Sequence, residues 1–254
     1  MILNAVEAGQ DGGQGRPLVL LHGLLGQGRN FGALQRRLAA GRRVIALDLP
    51  NHGASPHAAR MDYRSMAGDV AETLAERGIA GADVMGHSMG GKVAMMLALT
   101  APVLVARLLV SDIAPVVYPP RYGALLAAMR AVPAGAPRAV ADATLAPAEP
   151  DPSTRAFILS NRRPDGAGWR IGVEGIAASI EAIMDWSAPA GARFERPALF
   201  VSGERSNYIR EENRPAIRAL FPAARFLAVK GAGHWVHADQ PDAFAAVLEG
   251  FFRV

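Results

Sequence analysis

Six short apolar runs recur along the chain, and stretches long enough to form helices separate them. The runs are PLVLLHG (17–23), RRVIALDLP (42–50), GADVMG (81–86), VARLLVSD (105–112), RPALFVSGE (196–204) and ARFLAVKGAG (224–233). Their nearly continuous apolar content is typical of strands that are buried on both faces. Strand–helix alternation of this kind predicts an α/β fold with a mostly parallel sheet and helices on both faces.

The intervals between these runs carry helical patterns, at residues 30–40, 63–78, 90–101, 212–221 and 240–252. Ahead of the first run, LNAVEAG (3–9) predicts a weak edge strand and GQDGGQG (9–15) a flexible turn. A chain of 254 residues is long enough to bury a full core as one domain with a smaller inserted piece.

Residues 115–192 break the alternation because they contain no strand-like run. Helix-compatible pieces follow one another there, separated by Pro and Gly: PRYGALLAAMRAV, PRAVADATLA, PSTRAFILSNR and VEGIAASIEAIMDW. An insertion of that length between two core strands predicts a helical cap over the strand ends, where substrate selection tends to occur. The predicted division is a core of residues 1–114 and 193–254 with a cap at 115–192.

The segment GHSMGG (86–91) lies between a predicted strand and a predicted helix. It fits the pattern G-x-S-x-G, in which a serine occupies a sharp turn and glycines on either side let neighbouring backbone approach. Such a turn lifts the hydroxyl of Ser88 above the sheet, next to the free N–H groups of a helix N-terminus. The pattern in this context predicts a nucleophilic serine.

A serine hydroxyl needs a base within hydrogen-bond reach to become nucleophilic. The candidates are His22, His52, His57, His87, His234 and His237. We predict His234 as the base, because the loop after the last strand returns to the edge of the sheet that carries Ser88. The other five receive structural predictions: His22 holds a loop, His52 and His57 are turn or surface residues, His87 points away from the serine, and His237 packs within its own loop.

The base in turn needs an acid that orients the imidazole and stabilises its charged form. Asp112 ends the strand after the nucleophile helix, in SDIAP, and is the predicted acid. Glu204, after the next strand, is the alternative. Asp239 lies just after His234 and is predicted instead to cap the last helix.

Composition excludes several classes of protein. The chain has no cysteine, which rules out disulfides, a thiolate nucleophile and cysteine-ligated metal sites. Its net charge of +4 comes from scattered arginines rather than a basic block, which argues against a nucleic-acid partner. We expect neither a metal nor an organic cofactor.

The apolar stretch at 93–110 is interrupted by Pro102 and Arg107, whereas a membrane-spanning helix needs about 20 predominantly apolar residues. The first ten residues lack the basic start and apolar core of a signal peptide. The prediction is a cytoplasmic protein without a membrane span. The sequence does not indicate its oligomeric state.

Several motifs together resemble the α/β-hydrolase family, in the order Ser, acid, His. They are HGLLG (22–26), DLPNHGASP (48–56), GHSMGG (86–91), SDIAP (111–115) and GAGHWVHADQPDAF (231–244). Within that family the chain looks most like the YbfF-type and ABHD-type serine esterases. The resemblance implies hydrolysis of carboxylic esters, with short to medium acyl groups and acyl-CoA thioesters as candidate substrates, through a Ser-His-Asp triad and an acyl-enzyme.

The resemblance also implies an oxyanion hole, formed by the backbone N–H groups of Leu24 and Met89. In one respect the chain departs from the wider family, which carries its acid three residues after the glycine of the penultimate strand. Ser206 stands at that position, so it is predicted to support His234 or Asp112 by a hydrogen bond rather than to supply charge.

Aromatic and methionine side chains near the nucleophile suggest an apolar acyl pocket. The candidate lining residues are Tyr118, Tyr122, Met129, Trp169, Met184, Trp186 and Trp235. Arg121 and Arg210 are candidates to meet a phosphate of CoA at the rim. The expected partner is a small-molecule ester or thioester. The same residues fit a lactonase, a carbon–carbon bond hydrolase, a cofactor-free haloperoxidase or a non-catalytic ligand receptor.

Overall fold

A computed structural model describes residues 1–9 and 15–252 of the chain. In this part the chain forms a seven-stranded sheet with the strand order β1-β3-β2-β4-β5-β6-β7. The strands are β1 (Ala5–Ala8), β2 (Leu18–Leu21), β3 (Val44–Leu47), β4 (Ala82–His87), β5 (Val105–Ser111), β6 (Ala198–Gly203) and β7 (Ala224–Val229). The six apolar runs form β2 to β7, which confirms the predicted α/β fold.

Five of the six strand pairs are parallel, and the edge strand β1 runs antiparallel to β3. The predicted edge strand at 3–9 is therefore present. The turn predicted at 9–15 falls on residues 10–14, which lie outside the described part of the chain. Because the parallel strands end at one edge of the sheet, the loops that follow them meet there.

The helices alternate with the strands as expected, except between β5 and β6. They are α1 (Gly32–Leu38), α2 (Tyr63–Glu76), α3 (Met89–Thr100), α4 (Gly123–Ala131), α5 (Arg138–Leu145), α6 (Pro152–Leu159), α7 (Val173–Ala178), α8 (Ile180–Met184), α9 (Arg214–Leu220), α10 (Val236–Asp239) and α11 (Pro241–Phe251). The five helices α4 to α8 fall within residues 115–192. No helix in the described residues is long and apolar enough to cross a membrane.

Apolar side chains form two clusters, one on each face of the sheet. One cluster joins the sheet to α2, α3 and α9, and it extends to side chains of α4 to α8. The other joins the sheet to α1 and α11 through residues such as Phe31, Phe244 and Leu248. Burial on both faces explains why the strands are apolar throughout.

Segment 115–192 is held to the loops at one edge of the sheet by buried polar contacts. The Tyr63 hydroxyl donates a hydrogen bond of 2.5 Å to the carbonyl of Ile183. The backbone N–H of Met61 donates to the Ser179 hydroxyl at 2.7 Å. These bonds hold both ends of α8 against the start of α2 and the residues just before it.

Candidate active site

Ser88 lies between β4 and α3, in a turn that only small neighbours permit. Its backbone has φ 52° and ψ −120°, a positive φ that is uncommon for residues other than glycine. A Cβ at Gly86 would lie 2.1 Å from the carbonyl oxygen of Gly90, and a Cβ at Gly90 would lie 2.3 Å from that of Leu21. The two glycines of G-x-S-x-G are therefore required by close backbone packing around the serine.

Asp112 follows β5 and is completely buried. Its Oδ2 accepts a 2.7 Å hydrogen bond from Nδ1 of His234 and a further bond from the hydroxyl of Ser206. Its Oδ1 accepts a 3.2 Å bond from the backbone N–H of Gly203. Three donors therefore fix the carboxylate, and one of them is the hydroxyl that the sequence analysis proposed as a support.

His234 lies in the loop between β7 and α10. Its Nε2 is 3.0 Å from Oγ of Ser88, so the imidazole bridges Ser88 and Asp112. The loop is held by the backbone N–H of Gly233, which donates to the Asp239 carboxylate at 2.6 Å, and by Nε2–H of His87, which donates to the carbonyl of His234 at 2.9 Å.

These contacts correct the prediction for Asp239, which holds the histidine loop. The N-cap residue of α11 is Gln240. Glu204 is also occupied elsewhere, since its side chain accepts a 2.8 Å bond from the backbone N–H of Gly231. The imidazole is thus oriented by Asp112.

Tyr208 contacts the imidazole from one side, a contact that the sequence analysis missed. Its ring stacks on that of His234, and its backbone N–H donates to the Ser206 hydroxyl at 3.3 Å. The G-E-R-S-N-Y segment after β6 thus supports both the acid and the base. The sequence feature that could have indicated Tyr208 is the serine at position 206, two residues before it.

Leu24 and Met89, whose backbone N–H groups are the predicted oxyanion-hole donors, line a cavity together with Ser88. Met89 is the first residue of α3, and the first amides of a helix have no carbonyl partner within it. The oxyanion hole at these two N–H groups stays a prediction, and their place on the cavity that contains Ser88 is compatible with it.

Two buried histidines hold the loop that carries Leu24. His22 accepts a 3.0 Å bond from the N–H of Leu49, and its Nδ1–H donates to the carbonyl of Gly23 at 2.8 Å. His52 accepts a 3.0 Å bond from the N–H of Leu25. Burial lowers the pKa of both imidazoles, that of His52 to about 3, which keeps them neutral.

His22 therefore has the structural role that was predicted. His52 lies in a turn, one of its two predicted alternatives, but not at the surface. His52 is 0% exposed, because the polar loop that contains it folds under the end of β2. His57 is exposed as expected, and His237 packs between Phe31 and His87.

Two cavities meet at Ser88. The first is lined by Leu24, Tyr63, Ser88, Met89, Lys92, Ile113, Tyr118, Arg121, Tyr122, Ile183, Met184 and Tyr208. The second is lined by Gly23, Leu24, Leu25, His87, Ser88, Tyr122, Leu125, Glu149, Thr154, Phe157, Ile158, Tyr208, His234 and Trp235. The space open to the centre of a water molecule is about 20 Å³ in the first cavity and about 230 Å³ in the second.

Most predicted pocket residues line these cavities. Tyr118, Tyr122 and Met184 line the first cavity, and Tyr122 and Trp235 line the second. The prediction for Trp186 is wrong, because its ring packs against Tyr63 and lines a separate cleft.

Trp169 and Met129 were also predicted to line the pocket. They bind each other instead, because the indole N–H of Trp169 donates to the carbonyl of Met129 at 2.9 Å. Of the two arginines, Arg121 lines the first cavity. Arg210 forms an exposed ion pair with Glu212.

Lys92 is a second side chain at this site, besides Tyr208, that was not predicted from the sequence. It is 1% exposed, lines the first cavity, and its Nζ donates to the carbonyls of Asp185 at 2.8 Å and Met184 at 3.4 Å. Burial lowers the pKa of this lysine to about 7. A lysine four residues after the serine, on an otherwise apolar helix, was the available signal.

The family model described as alpha/beta hydrolase fold matches residues 16–241. The chain is 37% identical over 246 residues to the mouse sn-1-specific diacylglycerol lipase ABHD11, covering 92% of this chain and 80% of that one. It is 37% identical over 241 residues to esterase YbfF of Escherichia coli, covering 93% of each.

A solved structure called marine microorganism esterase superposes with a TM-score of 0.93 at 34% identity, and the match covers 99% of both chains. The matched region contains both halves of the sheet, the intervening helices and the site around Ser88. The chain belongs to the alpha/beta hydrolase family.

Proposed function

We propose that this protein hydrolyses carboxylic esters through an acyl-enzyme, with Ser88 as nucleophile, His234 as base and Asp112 as the acid that orients the base. The continuous hydrogen-bonded path carries the proposal: Ser88 Oγ is 3.0 Å from one imidazole nitrogen, and Asp112 is 2.7 Å from the other. This is the geometry in which a histidine removes the proton of a serine as the hydroxyl attacks a carbonyl.

In the first half of the reaction, Ser88 Oγ bonds to the ester carbonyl carbon and its proton passes to Nε2 of His234. Negative charge develops on the former carbonyl oxygen, where the N–H groups of Leu24 and Met89 stabilise it. Each such donor contributes about 3–4 kcal/mol of transition-state stabilisation. Asp112 holds Nδ1–H and stabilises the imidazolium that forms.

The first half ends when the imidazolium gives its proton to the leaving alcohol, which departs and leaves the acyl group on Ser88. In the second half, water gives a proton to the same histidine as it attacks the acyl carbon, and the imidazolium returns that proton to Ser88 Oγ as the acid leaves. His234 lines the second cavity together with Trp235. We assign the leaving alcohol to this cavity, because the group that protonates it lies there. The first cavity, which contains Met89 and Lys92, then receives the acyl group.

Segment 115–192 is proposed as a cap on a core of residues 1–114 and 193–254. Tyr118, Tyr122, Ile183 and Met184 of this segment line the acyl cavity. The cap would therefore select the acyl group, and the narrowness of that cavity favours short to medium chains over long ones.

Relatives whose names denote an esterase and a diacylglycerol lipase support ester chemistry. Thioesters are equally open to attack by an activated serine. A CoA leaving group, however, would meet Glu149 in the second cavity. We therefore propose oxygen esters as the better substrates.

The test is a fluorophosphonate probe together with a panel of p-nitrophenyl esters of increasing acyl length. We expect stoichiometric labelling of Ser88, ester turnover by the wild-type protein, and neither result in the folded Ser88→Ala and His234→Ala variants. Absence of labelling and of turnover would assign the fold a ligand-binding role. Faster turnover of lactones or β-diketones than of esters would assign a different hydrolase reaction.

A further inference from the structure

Two basic side chains line the acyl cavity. Lys92 and Arg121 line it, and within the described part of the chain no aspartate or glutamate does. Arg121 is exposed and lies against Tyr208, with its guanidinium carbon 5.3 Å from the ring centroid. One cation is therefore buried in this cavity and another reaches solvent.

The leaving-group cavity has the opposite character. Glu149 lines it, and in the described residues no lysine or arginine does. An outer crevice of about 370 Å³ shares Phe157 and Trp235 with this cavity, and Asp151 and Asp239 line that crevice. Charge therefore changes sign across Ser88, from positive on the acyl side to negative on the alcohol side.

Lys92 has no carboxylate within salt-bridge distance among the described residues. Its ammonium is stabilised by the two carbonyls at the end of α8 and by the rings of Tyr63 and Tyr118, whose centroids lie 5.2 Å and 4.9 Å from Nζ. An ammonium has three N–H donors, so two carbonyls leave one donor for a substrate acceptor.

A buried ammonium without a carboxylate in direct contact is costly, because burial removes water and no adjacent anion replaces it. Burial lowers the pKa of Lys92 for this reason, and the charge of Asp185 opposes the shift. The hydroxyls of Tyr63 and Tyr118 donate to backbone carbonyls, and burial raises their pKa, so neither supplies an anion. A substrate carboxylate would supply the missing charge.

We infer that this hydrolase, if the proposed function holds, selects acyl groups that end in a carboxylate: its substrates are half-esters of short dicarboxylic acids, recognised by Lys92. The reaction is half-ester plus water giving dicarboxylate plus alcohol. Lys92 lies four residues after Ser88, in the first turn of α3, and both residues line the same cavity. The narrowness of this cavity favours short acyl groups.

The experiment compares monoethyl glutarate with ethyl pentanoate, which has the same number of acyl carbons and no carboxylate. Acid release is followed by pH-stat, so that neither ester needs a reactive leaving group. For the wild-type protein we expect kcat/KM to be at least about tenfold higher for the half-ester, the discrimination of one charged hydrogen bond. In Lys92→Met, this ratio should fall by about tenfold or more.

Lys230→Met is the matched control, because Lys230 is exposed and is the other lysine of the chain. This variant should keep the wild-type ratio. If Lys92→Met does not fold, inhibition of the wild-type protein replaces it: glutarate should inhibit ethyl pentanoate hydrolysis at a concentration at least about tenfold lower than pentanoate does.

Equal kcat/KM for the two esters in the wild-type protein, or an unchanged ratio in folded Lys92→Met, would overturn the inference and leave the proposed function standing. Equal inhibition of ethyl pentanoate hydrolysis by glutarate and by pentanoate would also overturn the inference and leave the proposed function standing. Hydrolysis of neither ester, without fluorophosphonate labelling of Ser88, would overturn both.

Discussion

The phenol ring of Tyr208 lies nearly parallel to the imidazole of His234, with ring centroids 4.0 Å apart and an interplanar angle of 20°. An aromatic face stabilises a neighbouring cation, and the imidazole becomes a cation when it takes the proton of Ser88. The contact therefore acts mainly in the transition state.

We expect Tyr208→Leu to lower kcat for p-nitrophenyl butyrate by about fivefold to tenfold, because an exposed to partly buried cation–π contact contributes about 1 kcal/mol. Tyr208→Phe keeps the ring and should retain most of the wild-type kcat. Equal losses in the two variants would show that the hydroxyl, rather than the stacked ring, is what matters.

The choice of acid is tested by Asp112→Asn against Glu204→Gln. The first variant removes the charge that faces the imidazolium, and loss of that charge in a Ser-His-Asp triad costs about 10⁴-fold in kcat. Glu204→Gln keeps an acceptor for the N–H of Gly231 and should remain near the wild-type rate. The reverse pattern would make Glu204 the acid.

Ser206 donates to the same carboxylate oxygen as His234, so a carboxylate at position 206 would lie close to the imidazole. We expect the double variant Asp112→Asn/Ser206→Asp to recover at least tenfold of the kcat lost in Asp112→Asn alone, since one charged hydrogen bond is worth about 1.5–3 kcal/mol. No recovery would mean that the backbone at 206 holds the side chain too far from Nδ1.

The carboxylates near the leaving-group side predict discrimination against anionic alcohols and thiols. Glu149→Gln with Asp151→Asn keeps the acceptor at 149 and the N-cap at 151, but removes two charges. We expect this double variant to raise kcat/KM for butyryl-CoA relative to the uncharged N-acetylcysteamine thioester, and the gain should shrink at high salt. An unchanged ratio would show that these charges do not act on the leaving group.

Four histidines whose pKa is lowered predict loss of stability in mild acid. Burial lowers the pKa of His22, His52, His87 and His237, to about 3 for His52 and about 4 for His237. The unfolded chain therefore binds more protons below the ordinary value of about 6.5. The free energy of unfolding should fall as the pH drops from about 6.5 to 4, by up to about 1.4 kcal/mol per pH unit for each group.

Urea titrations at several pH values check this slope. His237→Phe removes one titrating group whose Nδ1 has no hydrogen-bond partner in the described structure, and it should flatten the dependence. His57→Gln alters an exposed histidine and should leave the slope unchanged. Parallel curves for all three proteins would contradict the assignment.

The residues that carry local signals were predictable. The turn at Ser88 needs the glycines beside it. Parallel strands end at one edge of the sheet, so an aspartate at a strand end and a histidine after the last strand meet there. The position of Trp186 away from the pocket and the burial of His52 were not predictable, because their surroundings come from segments distant in the chain. Lys92 was missed for the same reason, since the carbonyls and rings around it belong to residues 63, 118, 184 and 185.

Ser88 and Asp112 both hold a positive φ, 52° and 56°. Conformations of this kind cost about 1–3 kcal/mol each in residues that carry a Cβ, and the surrounding fold must sustain them. Selection for thermal stability alone would therefore favour glycine at these two positions, and the proposed nucleophile and acid would be lost. A protein that keeps both side chains therefore has a less stable fold in return for its reactive groups.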